Sequence, residues 1–114
     1  MRHKERRHHD RIEGQALPAD LQTMNVEFSD GRKVEARTID ASPYDIALLV
    51  PLSSAEIDAY EVSLEDPSGR FHIADELVYT KSVDEHSARV SVKFSPEADL
   101  GAYREILRGG GPEN

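Results

Sequence analysis

The sequence predicts an all-β domain with a short C-terminal helix, an antiparallel barrel of about six strands behind a basic N-terminal arm. Three observations point there. Short runs of alternating apolar and polar residues recur between Leu21 and Phe94, the period of half-buried strands. Asp-Gly and Pro-Ser-Gly turn sequences separate these runs and reverse the chain so that neighbouring strands pair antiparallel. After Ser95 the apolar spacing becomes helical. A barrel is preferred to a sandwich because closure leaves fewer unpaired edges.

Residues 1–15 lack hydrophobic periodicity and are dense in charge and histidine, so they read as a flexible arm. Residues 16–95 carry the barrel. Val26 and Phe28 alternate with Asn25 and Glu27, Ser29 to Arg32 form a turn around Asp30-Gly31, and Val34, Ala36 and Thr38 alternate on the return. Ile46 to Val50 reads as a more fully buried strand. Val62 and Leu64 alternate with Glu61 and Glu65, Pro67-Ser68-Gly69 turns the chain, and Phe71 and Ile73 begin a strand continuing through Leu77 and Tyr79. A turn is expected at Asp84-Glu85-His86. Beyond it Ala88, Val90, Val92 and Phe94 share one face, with Arg89, Ser91 and Lys93 on the other. Residues 96–109 predict the helix: Ser95 suits the N-cap, Pro96 the first position and Glu97 the positive end of the dipole. Leu100, Tyr103, Ile106 and Leu107 then share a face, Gly101 weakens the helix, and Gly109 to Gly111 stop it.

Composition narrows the function. The 114 residues suffice for one domain, and 38% hydrophobic residues without tryptophan predict a thin core. The absence of cysteine excludes disulfides, zinc-thiolate sites and thiol nucleophiles and fits a reducing cytosol, so a cytoplasmic protein is expected. No signal-peptide run stands at the N-terminus, and the longest apolar stretch, Ile46 to Leu52, is too short for membrane insertion. No nucleophile motif or phosphate-cradling glycine loop supports catalysis, so an enzyme is not expected.

Charge is sharply divided along the chain. The first eleven residues hold five basic and two acidic side chains, or +3, while the remainder holds nine basic and twenty acidic, or −11, giving the formal −8. Arginine presents a planar fork of donors that grips phosphate and the guanine edge. A tight arginine cluster on an acidic body therefore points to a discrete phosphorylated ligand, whereas the body would repel a long nucleic acid.

Two motifs share this chemistry. Arg7 and Arg11 make an Arg-x-x-x-Arg pair preceded by Arg6, and Asp40-Ala41-Ser42-Pro43-Tyr44-Asp45 follows at the end of one predicted strand and the start of the next. Together they resemble the PilZ domain family, whose signature joins Arg-x-x-x-Arg in an N-terminal arm to Asp/Asn-x-Ser-x-x-Gly roughly thirty residues later. The resemblance implies a six-stranded antiparallel Greek-key barrel with a C-terminal helix and a flexible N-terminal arm. It also implies binding of the bacterial second messenger cyclic di-GMP, with no cofactor or metal. Arg7 and Arg11 would hold phosphates and guanine edges, with Arg6 assisting, while Asp40 and Ser42 would bond a guanine from the barrel surface. The implied role is a receptor and adaptor whose arm closes over the ligand and presents a new surface to an unidentified protein partner. Asp45 stands where the family has glycine, and Pro43 stiffens the loop. Either the arm arginines offset Asp45 and binding survives weakened, or Asp45 pairs with the arm and mimics a bound state. A PilZ-like interaction module with a disabled dinucleotide site is the alternative.

Other charged groups have plainer readings. His3, His8, His9 and Asp10 carry metal-ligand chemistry, yet consecutive histidines in a charged tail do not converge without a scaffold. Asp40 and Ser42 are also ordinary turn residues. Glu56, Asp58, Glu61, Glu65, Asp66, Asp75 and Glu76 read as a solvated acidic face, or as a dock for the basic arm. Tyr79, Tyr103 and Phe94 read as core or interface aromatics.

Overall fold

The computed structural model describes residues 11–57 and 61–109, with the side chains of Ser54, Asp75 and Leu77 left aside. Among the described residues seven strands form one antiparallel sheet: β1 (Ile12–Glu13), β2 (Thr23–Phe28), β3 (Lys33–Ala41), β4 (Asp45–Val50), β5 (Glu61–Glu65), β6 (His72–Ser82) and β7 (Ala88–Lys93). Two short helices accompany them, α1 (Ala19–Gln22) and α2 (Gly101–Gly109). The sequence signalled α2 and not α1, a single turn that buries Leu21.

Hairpins join β2, β3 and β4, and a second series joins β5, β6 and β7. β5 returns beside β2 and β7 pairs with β4, so six strands form a closed ring. The order β5, β2, β3, β4 is a Greek key, a fourth strand lying beside the first. The expected fold class is thus the observed one. Alternation packs the interior: Met24, Val26 and Phe28 from β2, Ile46, Leu48 and Val50 from β4, and Ala88, Val90 and Val92 from β7 are all buried. The turn glycines fall where expected, with Gly31 at φ +96° and Gly69 at φ +75°, a region closed to most side chains.

Four expectations change. The arm was drawn through residue 15, but Ile12 and Glu13 pair with Ala41 and Asp40, and Gly14–Ala16 form a 3-10 turn. The helix starts at Gly101, not Pro96, because Glu76 takes Ser95 out of the capping role. The Ser95 hydroxyl is turned to Glu76 Oε2 at 3.3 Å and its amide donates to Glu76 Oε1 at 2.6 Å, while Asp99 Oδ1 accepts the Gly101 amide at 3.4 Å. Tyr79 does not continue the face of Ile73: on β5 Val62 to Leu64 spans two steps, while the paired Glu76 to Ile73 on β6 spans three. This bulge reverses the pleat, so Glu76 and Val78 turn inward and Tyr79 outward, 66% exposed. Finally, Asp66 and Glu76 leave the expected acidic face and are buried. Asp66 accepts the Ser68 hydroxyl at 2.9 Å and the Arg70 and Phe71 amides, closing the β5–β6 turn.

Gly14 fits the chain against β3. A Cβ there would stand 2.4 Å from the Thr38 carbonyl oxygen, a backbone atom with little freedom to retreat. Gly14→Ala is expected to destabilise the domain by about 2 kcal/mol through overpacking, measured by urea denaturation, and to loosen β1 with Arg11 beside it.

Candidate functional site

Arg11 enters the site because β1 holds it there. Pairing of Ile12 with Ala41 brings the preceding residue to the end of β3 and the β3–β4 loop. Asp40 reaches the same point through a second bulge. Thr38 pairs with Leu48, yet Asp40 pairs with Ala47, so two steps on β3 match one on β4. Strict alternation would turn Asp40 inward with Ala36 and Thr38; the extra residue turns it outward. Asp45 opens β4 opposite Lys93.

The Arg11 guanidinium then spans two carboxylates from distant parts of the chain. Nη1 donates to Asp40 Oδ1, and Nη2 donates to Asp45 Oδ1 at 2.6 Å. Arg89 lies further off, Nη2 3.8 Å from Asp40 Oδ2. The side chains of Arg11, Asp40 and Asp45 are 37%, 15% and 29% exposed, so water screens the cluster without dissolving it. Burial works against the Arg11 charge, but attraction to Asp45 and then Asp40 outweighs it, holding the guanidinium protonated above its usual range. Ser42 is engaged as well. Its hydroxyl donates to Asp45 Oδ1 at 2.7 Å and accepts the amides of Tyr44 at 3.1 Å and Asp45 at 3.2 Å.

Arg11, Asp40, Ser42 and Asp45 therefore converge as one hydrogen-bonded group. Arg6 and Arg7 lie outside the described residues, as do His3, His8, His9 and Asp10. Beside the group a cavity of about 160 Å³ is bordered by Arg11, Asp45, Tyr79, Arg89, Ser91 and Lys93. Tyr79, Arg89 and Lys93 were not singled out from sequence as site residues. For Arg89 and Lys93 the signal was present, since both occupy the outward positions of the cleanest alternating strand. Tyr79 had no such signal because the β6 bulge reverses its face. A larger cavity, about 570 Å³, lies past β1 along Gly14, Gln22, Thr23 and Arg37. It lacks Arg11 and Asp45, which border the smaller one, so the charged group favours the smaller cavity.

The group can hold an anion by exchange. An arginine fork bound to two carboxylates can release one and take a phosphate in similar planar geometry, and Arg89 and Lys93 add positive charge at the edge. Among the described residues no three acidic or histidine side chains are arranged to hold a metal ion, and no helix is long and apolar enough to cross a membrane.

No protein-family model matches the chain, and no curated protein matches it. Among solved structures, the PilZ domain of YcgR from Escherichia coli, determined with c-di-GMP, aligns over 86% of this chain and 83% of its own, with a TM-score of 0.52 and 17% sequence identity. At that identity the likeness is one of architecture: the closed antiparallel barrel with its short C-terminal helix is a PilZ-like fold.

Proposed function

We propose that this chain is a non-enzymatic receptor for cyclic di-GMP that binds through Arg11 and the Asp40–Asp45 loop, with Arg6 and Arg7 completing the grip. The observation that carries the reading is the joining of Arg11 to Asp40 and Asp45. Two sequence motifs about thirty residues apart meet side chain to side chain on a PilZ-like barrel. Guanine offers O6 and N7 to an arginine fork and N1–H and N2–H to a carboxylate, so the residue types suit the base as well as the phosphates. Ligand entry transfers Arg11 from Asp45 to a phosphate, which frees Asp45 and changes the surface seen by a partner protein.

Calorimetry with cyclic di-GMP at low salt tests this. Heat at micromolar concentration that vanishes in Arg11→Ala is the expected result, with affinity reduced about a hundredfold or more because a charge-assisted bidentate contact to phosphate is lost. An absence of heat at low salt ends the receptor reading.

A second reading rests on a separate observation. Asp45 occupies both the Arg11 fork and the Ser42 hydroxyl, groups a ligand would need. In that case Arg11 is held without ligand, and the barrel serves as an interaction module.

A further inference from the structure

We propose that Tyr103 and Arg104 of α2 are positioning residues for the Ser42–Asp45 loop, and that they couple the seating of α2 to the state of Arg11. The inference rests on the site reading above but concerns a part of the chain that carries neither motif.

Four consecutive carbonyls of this loop are engaged. Ser42 O accepts the Tyr103 hydroxyl at 2.6 Å, and Pro43 O accepts Arg104 Nε at 3.0 Å. Tyr44 O accepts the Phe94 amide at 3.0 Å, and Asp45 O accepts the Ser42 amide at 2.9 Å with Tyr103 Oη 3.4 Å away. Neighbouring residues on one short helix thus hold a loop about sixty positions earlier in the chain. The Arg104 guanidinium also lies over the exposed Tyr44 ring, 5.5 Å from its centroid, a favourable cation–π placement.

The Tyr103 ring cannot drift. It is fully buried, with Phe94 edge-to-face at 5.0 Å and Phe71 at 5.7 Å. Burial, and then the nearby Asp45 charge, raises the phenol well above its ordinary pKa, so the hydroxyl stays a neutral donor. A rigid ring with a fixed donor transmits displacement in both directions. When Asp45 loses Arg11, its bond to the Ser42 hydroxyl shifts, and the Ser42 carbonyl carries the movement to Tyr103. By the same linkage, unseating α2 relaxes the loop that aims Asp45 at Arg11.

Hydrogen exchange and arginine side-chain NMR on Tyr103→Phe and Arg104→Ala test the coupling without ligand. In Tyr103→Phe the Ser42 and Asp45 amides are expected to exchange about three- to tenfold faster, the loss of one net hydrogen bond. The Arg11 guanidinium signals should average towards those of a free side chain, while core amides such as Val90 keep their rates. Arg104→Ala, at a partly exposed position, should move the same signals less and serves if the tyrosine variant fails to fold. Unchanged loop amides and Arg11 signals in folded variants overturn the proposal. Cyclic di-GMP calorimetry on the same samples separates the two ideas. If wild type gives no heat while the loop responds to Tyr103→Phe, the receptor reading fails and the coupling stands. Binding with an unresponsive loop gives the converse.

Discussion

Asp45→Asn is expected to tighten cyclic di-GMP binding by about tenfold, measured by calorimetry at low salt. Asparagine keeps the size of the side chain and a carbonyl oxygen to accept the Ser42 hydroxyl, now 2.7 Å from Asp45 Oδ1. What it removes is the charge that holds Arg11 Nη2 at 2.6 Å. At surface-like dielectric, unit charges 4 Å apart interact by about 4 kcal/mol. Partial exposure of Arg11 and Asp45 screens this to about 1.5 kcal/mol, close to one decade in affinity. Asp40 remains, so Arg11 is not set loose. A variant that binds no better than wild type would show that Asp45 is not the competitor for Arg11. Asp45→Gly separates the functional readings: binding created by glycine where the natural chain has none establishes the disabled-site module.

Asp66→Ala is expected to lower stability by about 3 kcal/mol, seen as a fall in Tm of about 10 °C. Asp66 is 0% exposed, and it accepts the Ser68 hydroxyl and the Arg70 and Phe71 amides. Alanine would leave these donors unpaired at the turn feeding β6. Unmade bonds of this kind cost more than the made ones contribute. Asp66→Asn should cost only about 1 kcal/mol, because its carbonyl oxygen can still take both amides while its amino group meets the Ser68 hydroxyl. Equal stability of the alanine variant and wild type in thermal unfolding would sink this account. The result also checks the revised placement of Asp66, since a residue on a solvated face would tolerate alanine within about 0.5 kcal/mol.

Much of the barrel was legible because alternation is a local property. A residue at i and another at i+2 share a face whatever the partner strand does, so Val26 with Phe28, and Ala88 with Val90 and Val92, revealed their strands without tertiary information. Asp30-Gly31 and Pro67-Ser68-Gly69 revealed the hairpins by their backbone chemistry. In the candidate site, Arg11, Asp40, Ser42 and Asp45 could be named because their types and spacing form a pattern. Their mutual arrangement was not legible. Alternation carried past Thr38 would point Asp40 inward, and carried past Ile73 it would point Tyr79 inward. Each is turned out by a bulge that exists only relative to the neighbouring strand.

The acidic residues show the same limit. Nothing in sequence marks Glu76 apart from Glu61 and Glu65, yet it is buried and bonded by a backbone amide while they stay exposed. Asp66, by contrast, shares the parity of Val62 and Leu64 and opens the Pro67-Ser68-Gly69 turn, so its burial was open to a reading by alternation. Ser95 likewise carries a good helix-start signal that Glu76, nineteen positions away, overrides.

By itself, the sequence determined six of the seven described strands, the hairpin turns, the apolar face of α2 and the residue types able to grip a phosphorylated ligand. Those depend on neighbours a few positions apart. Only the tertiary structure decided that Arg11 is held by Asp40 and Asp45, that Tyr79 lines their cavity, and that Tyr103 braces the loop between them. These contacts join residues twenty-nine and more positions apart, and the strand register that sets them is a property of the closed barrel rather than of any one strand.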